Sequence, residues 1–366
     1  MKRYLILSTD YPNLQGGLAL AYIRTRNVYY RSKGIDITVL NFATKENYII
    51  DEINVISLKW YKRHHTELHF DILICHAPNL RDHYIFLKKY DKLFSKVVFF
   101  FHGPEVLKIN KVYSPPYPYI KRNYIMLKSQ DIYDDFKFLM WRLYIKRRHN
   151  KSYYIFVSKW MRDEFIKWVK PNPTYLEGRD FITYNCVGEL FEREQFNHTT
   201  QKKYDFVTIR ANLDGSKYCV DIVNELARRH PEYKFLLVGC GDFFNHYDKA
   251  PNLEWRNCRL QHKEIINVLN SARCALMPTR TDAQGVMMCE MAAFGMPVIT
   301  SDIPVCHEVF DGEPNIGFID NNLDIDLLIE EYLKIKDIRY KSNRYHKENT
   351  CDAELSIFNV IERKYM

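Results

Sequence analysis

The chain has 366 residues, 46% hydrophobic and 27% charged, with a formal net charge of +8. That length exceeds one usual domain, so two domains with sizeable cores are expected, and no apolar run approaches a membrane span. Nine cysteines without a Cys-x-x-Cys pair argue against a disulfide framework or zinc spacing and point to reduced thiols in a cytoplasmic protein.

In the first half, short apolar strands alternate with helical stretches, the pattern of a parallel sheet covered on both faces. Lys2-Arg3 precede only Tyr4–Leu7, which reads as a first buried strand and is too short for a secretory core. A polar loop, residues 8–15, leads to Gly16-Gly17, a helix over about 18–32 and a strand over Ile35–Leu40. Paired glycines before a helix permit close backbone approach to a ligand, and they also serve plain turns. Further strands are expected at Ile72–Cys75, Val97–Phe101, Tyr153–Val157 and Phe181–Tyr184. His102 stands just past Val97–Phe101, at the ligand-facing edge of such sheets, where histidines also cap structure. Ser158 suits a helix N-cap.

Residues 105–151 break the pattern. A Tyr-Ser-Pro-Pro-Tyr-Pro-Tyr stretch is followed by a basic aromatic segment, Phe136–Arg148, containing Trp141, Arg147 and Arg148. Such a helix suits an anionic membrane surface or a lipid-linked acceptor, and equally a core-packed helix with solvated charges.

A polar run, Thr199–Lys203, opens a second alternating series. Tyr204–Ile209 reads as a strand ending at Arg210, with Lys217 seven residues on and a helix from Ser216 to Arg228. Two cations there can neutralise a diphosphate without a metal. Phe235–Val238 runs into Gly239-Cys-Gly241, Asn252–Trp255 is another strand, and Glu264–Ala272 is helical. Next come a strand over Cys274–Met277, Pro278, a polar loop with Asp282, and an amphipathic helix entered through Gln284-Gly285. Helix starts carry unpaired N–H groups and partial positive charge, so Gly285, Val286 and Met287 suit a phosphate. Glu290, one turn inside, leans back toward that mouth and can accept two hydrogen bonds from a vicinal diol. Pro297 opens a strand over Val298–Thr300, and residues 323–336 and 353–365 look helical. The Asp324-Ile-Asp326 triplet fits a helix start better than a metal site.

Asp282 and Glu290, eight apart around a Gly-led helix start and followed by Ala-Ala-Phe-Gly-Met-Pro-Val-Ile, resemble the Glu-x7-Glu signature of retaining GT-B glycosyltransferases of the family-four type, with Asp in the first position. The Tyr184-Asn-Cys-Val-Gly188 run is similar to that family's Asn-Gly-Val element. The resemblance implies an α/β fold of two Rossmann-like domains with parallel sheets facing a central cleft: residues 1–198 for the acceptor, 199–345 for a nucleotide-sugar, and 346–366 crossing back. It further implies that a nucleotide-diphospho-sugar, with UDP favoured, donates to a glycan or lipid-linked glycan in bacterial surface polysaccharide synthesis. Arg210 and Lys217 would stabilise the leaving diphosphate, with Gly239, Gly241, Gln284, Gly285, Val286 and Met287 about it. Glu290 would hold the ribose and Asp282 the sugar hydroxyls, while His102 and Gly16-Gly17 would close the site. Neither metal nor cofactor is expected. The location is cytoplasmic or peripheral on the inner membrane face. A nucleotide-sugar epimerase of GT-B fold is the other enzymatic reading; nucleic-acid binding rests only on basic aromatic patches without a motif.

Overall fold

The computed structural model describes residues 2–15, 20–322 and 325–363. Its internal contacts divide the chain into two compact units. The first comprises the chain up to Lys108, Asp131–Cys186 and the chain from Lys347; the second comprises Ile109–Gln130 and Val187–His346.

In the first unit the strands are β1 (Arg3–Ser8), β2 (Asp36–Asn41), β3 (Tyr48–Ile50), β4 (Ile53–Ser57), β5 (Ile72–His76), β6 (Val97–Phe101), β7 (Ser152–Phe156) and β8 (Asp180–Ile182). They form one sheet in the order β3-β4-β2-β1-β5-β6-β7-β8. Every pairing is parallel except β3 with β4. All five residues of β5, β6 and β7 are buried, as expected of parallel strands covered on both faces. The antiparallel hairpin was not anticipated. Its turn residues Asp51 and Glu52 both adopt positive φ, 51° and 57°, the twist a two-residue hairpin requires, without the usual Asn-Gly pair. Two arginines of the helix Ala21–Ser32 hold it: Arg24 binds Asp51 at 2.5 Å and Arg31 binds Glu52 at 2.9 Å.

The helix Lys347–Arg363 packs on the helix Ala21–Ser32 within this unit. Arg26 Nε meets Glu354 Oε1 at 2.9 Å with both side chains fully buried. The other Glu354 oxygen accepts the Tyr30 hydroxyl, and Arg26 also reaches Asn185 Oδ1 at 2.9 Å. Phe358 seats edge-on against Tyr4 and Tyr30, each at 5.6 Å.

The second unit has a six-stranded sheet, all parallel: β9 (Tyr204–Asn212), β10 (Phe235–Cys240), β11 (Leu253–Arg256), β12 (Ala272–Leu276), β13 (Val298–Ser301) and β14 (Ile316–Ile319). The order is β11-β10-β9-β12-β13-β14. Two segments join it from outside the expected 199–345 range. Residues 187–198 do so because Phe196 donates its N–H to Phe294 at 2.7 Å and packs on that ring. Ile109–Gln130, expected as part of an insertion in the first domain, does so because Tyr117 enters this unit's core. The Tyr117 hydroxyl donates to Asp221 at 2.9 Å and that of Tyr119 to Asp214 at 2.7 Å.

Removing one partner of a buried ion pair leaves a charge uncompensated, which costs roughly 3–5 kcal/mol. Glu354→Gln should destabilise the first unit by that amount. Urea unfolding followed by tryptophan emission checks it, since Trp60, Trp141, Trp160 and Trp168 all lie in this unit; an unmoved midpoint would show that Arg26 finds another partner.

Candidate functional site

Past β12, Pro278 ends the strand and the loop to Asp282 is pinned on both sides. Thr279 donates its N–H to Ser301 Oγ at 2.8 Å, and Asn321 donates to the Thr279 carbonyl at 3.1 Å. Asp282 Oδ1 then accepts three successive backbone N–H groups, from Ala283 at 2.8 Å, Gln284 at 3.3 Å and Gly285 at 2.9 Å. Gly285, at φ 76°, enters the helix Val286–Phe294 in the left-handed conformation that glycine adopts without strain. Two expectations change here. The N–H of Gly285 faces Asp282 instead of a ligand, and the buried Gln284 side chain turns inward toward Cys289 Sγ at 3.7 Å. The N–H groups of Val286 and Met287 meet no acceptor among the described residues, leaving two open donors at a positive helix end.

Glu290 lies on the second turn of this helix, 8% exposed. Its Oε1 accepts the Gly188 N–H at 3.2 Å, and a Cβ on Gly188 would press to 3.2 Å from that oxygen. Burial pushes the carboxyl pKa from 4.5 up to about 7, while the Gly188 bond pulls it down. Gly188 ends the run read as similar to the family's Asn-Gly-Val element, and nothing in its spacing signals this contact.

Arg210, in β9, is 7% exposed. Its Nη2 donates to the Pro278 carbonyl at 2.7 Å, and its Nε is buried with no hydrogen-bond partner. Burial lowers its pKa, opposed by the negative charge of Asp282. Lys217 lies in a short turn, Ser216–Tyr218, separate from the helix Val220–Arg229. The expected single helix is broken at Cys219, φ 56°. Tyr218 links the two cations, its ring centroid lying 5.2 Å from the Arg210 guanidinium and 4.8 Å from Lys217 Nζ. On another side of Lys217 stands the Tyr113 ring at 5.2 Å. The two tyrosines were missed because a cation–π neighbour leaves no sequence pattern.

Gly239 and Gly241 have a different explanation from ligand approach. A Cβ on Gly239 would lie 2.1 Å from the Arg210 carbonyl oxygen, and one on Gly241 3.0 Å from Asp214. The glycines let β10 close onto the end of β9 where the register shifts between Val238 and Cys240. They position Arg210 from behind.

In the first unit, His102 follows β6. Its Nε2 is 3.1 Å from His76 Nδ1, it hydrogen-bonds Asn185, and Tyr22 lies 4.5 Å from its ring. Burial, then the positive charge of Arg26, holds its pKa well below the usual histidine value. The imidazole is therefore neutral at physiological pH. Gly16 and Gly17 lie outside the described residues, as does Asp324. No group of three or more His, Cys, Asp or Glu side chains suited to a metal ion occurs among the described residues.

The basic aromatic segment forms the end of the helix Tyr124–Arg148. Trp141, proposed for a membrane, is 1% exposed and packs edge-on against Phe99 and Tyr84, each at 5.7 Å. Arg148 binds Asp91 at 2.5 Å. Both are structural, and only Arg147 of the three is exposed. No helix among the described residues is long and apolar enough to cross a membrane.

Residues 206–335 match the family model described as glycosyl transferases group 1. No curated protein matches the chain. Among solved structures, sucrose-phosphate synthase from Thermosynechococcus elongatus is similar at TM-score 0.68 and 13% identity, covering 99% of this chain and 96% of that one. Anabaena HepE in complex with UDP and glucose gives 0.67 and 11%, covering 98% and 100%. WaaG, a glycosyltransferase involved in lipopolysaccharide biosynthesis, gives 0.60 and 14%, covering 99% and 96%. In fold the chain is GT-B, and its second unit carries the group 1 glycosyl transferase match.

Proposed function

We propose that this protein is a retaining glycosyltransferase that moves a sugar from a nucleoside-diphosphate-sugar, UDP-sugar favoured, to a glycan or lipid-linked glycan in bacterial surface polysaccharide synthesis. The observation that carries the reading is the buried Arg210, whose Nε has no partner, joined through Tyr218 to Lys217 and set beside the loop that leads to the open N–H groups of Val286 and Met287. Fixed donors of this kind stabilise charge that develops on a leaving diphosphate and need no reorganisation during reaction. In this reading those cations make a divalent metal unnecessary. Glu290, held by Gly188, accepts from the ribose diol. Asp282 shapes the loop through Oδ1 and leaves Oδ2 for the sugar hydroxyls. Attack comes from the face the diphosphate leaves, with the departing phosphate oxygen as base. The UDP and glucose held by HepE support the donor, and the lipopolysaccharide role of WaaG supports the acceptor.

Membrane contact, as part of this proposal, belongs on the outer face of the helix Tyr124–Arg148. Ile132, Phe136 and Leu139 are 62%, 53% and 46% exposed at the spacing of one helical stripe, and Lys146 and Arg147 follow on the exposed surface. An apolar stripe beside cations suits an anionic bilayer surface. Replacing Phe136 and Leu139 together by Ser should abolish flotation on phosphatidylglycerol liposomes while the fold persists. Unchanged flotation would remove the membrane from the proposal.

Glu290→Gln should weaken binding of UDP by about 1.5–3 kcal/mol, the worth of a hydrogen bond to a charged group. Asp282→Asn keeps a carbonyl for the three N–H groups, so UDP affinity should stay near that of the parent while turnover falls. Calorimetry with UDP, set beside transfer rates, separates the two; equal losses of UDP affinity would refute the division.

Only the ionised Glu290 accepts both diol protons. With a pKa of about 7, donor affinity should be level above pH 7 and fall as pH drops, approaching tenfold per unit below pH 6. The Gln variant should show no such slope.

A further inference from the structure

The first unit contains a concavity of about 490 Å³, within the usual range of small-molecule sites. It lies beside the β3–β4 hairpin and reaches Arg3, the first residue of β1, whereas His102 stands past the last residue of β6. In the strand order β5 stands between β1 and β6, so the cavity lies toward the β3 edge of the sheet and apart from His102.

One wall is aromatic. Trp60 stacks on His64 with ring centroids 4.3 Å apart and 17° between planes, which fixes the indole, and Phe70 stands under the Arg3 guanidinium at 5.4 Å. The sheet side is polar and neutral. Thr38 and Asn54 are direct neighbours across β2 and β4. Thr38 is 8% exposed, its hydroxyl has no hydrogen-bond partner among the described residues, and it lines this cavity. That hydroxyl opens into the cavity, where a guest that displaces water must supply its hydrogen bond. No carboxylate lines the space, so a cation gains nothing there. The single cation, Arg3, already binds Asp36 at 3.1 Å, so an anion finds little. A wholly apolar guest would leave Thr38 unsatisfied.

A flat aromatic wall facing neutral hydroxyl and carboxamide groups matches one ligand class, whose rings carry apolar C–H faces and hydroxyl rims. We propose that this cavity is a non-catalytic binding site for a neutral saccharide. Trp60 stacks on the sugar ring, and Thr38 and Asn54 bind its hydroxyls. All of the residues that line the site belong to the first unit.

The test uses the full chain and four neutral disaccharides as probes: maltose, lactose, cellobiose and chitobiose. Saturation-transfer NMR and tryptophan fluorescence titration report binding. At least one probe should bind, with affinity at least tenfold weaker in Trp60→Ala and several-fold weaker in the isosteric Thr38→Val, and unchanged in Glu290→Gln. Thr38→Val keeps the test decisive if Trp60→Ala unfolds, as circular dichroism would reveal. Absence of binding by all four, binding that survives both cavity variants, or binding lost in Glu290→Gln would each overturn the proposal. So would displacement of an apolar dye, and of no saccharide, by the Trp60 change.

Discussion

A single carboxylate oxygen sets the shape of the candidate site. Asp282 Oδ1 gathers three consecutive N–H groups and so turns the chain from Asp282 into the Val286 helix within four residues. Without that acceptor, three buried or half-buried donors would need other partners. With it, the first unpaired donors of the helix are displaced to Val286 and Met287. The same negative charge also favours the ionised form of the neighbouring Arg210. Shape and electrostatics thus come from one residue, which explains why a carboxylate placed eight positions before Glu290 has a structural role before any ligand arrives.

Glu290 illustrates the opposite balance. Its folded pKa lies above its unfolded value, so the unfolded chain gives up the proton more readily than the native one. Stability is therefore lost as pH rises from about 4.5 to about 7 and is level beyond. A buried carboxylate with one backbone donor is a liability for the empty protein and an asset only when a diol supplies further donors. Strain of this sort, tolerated at a functional position, is compensated by the well-packed helix around it, where every residue from Met288 to Phe294 is buried.

The sequence showed the alternation of strands, the two sheets and the carboxyl-edge placement of Arg210, Asp282 and Glu290, because apolar runs and strand ends are local properties. Features set by tertiary neighbours were not legible. Trp141 read equally as a surface anchor and as a core residue, because its flanking Arg and Lys residues mark charge, and charge says nothing about which face of a helix meets Phe99. The β3–β4 hairpin escaped because Asp51 and Glu52 carry no turn signature, their positive φ being held by arginines 27 and 21 positions away. His102 follows a strand end as expected, yet its neutrality depends on burial beside Arg26, which no spacing foretells. Tyr113, Tyr117 and Tyr119 read as part of a loose insertion, whereas two of them are anchored by hydroxyl bonds to Asp221 and Asp214 across about a hundred residues of chain.

That hairpin has a bearing on how the protein behaves in concentrated solution. An open sheet ends in unpaired N–H and C=O groups that invite strands from other molecules. Here the outer strands β3 and β8 have three residues each, and β11 and β14 of the second sheet have four. At β3, Asp51 and Glu52 with their arginine partners put four charges at the hairpin tip. Short, charged margins present too few consecutive hydrogen-bonding groups to template a foreign strand, so the sheets resist edge-to-edge aggregation even though their interiors are almost wholly apolar.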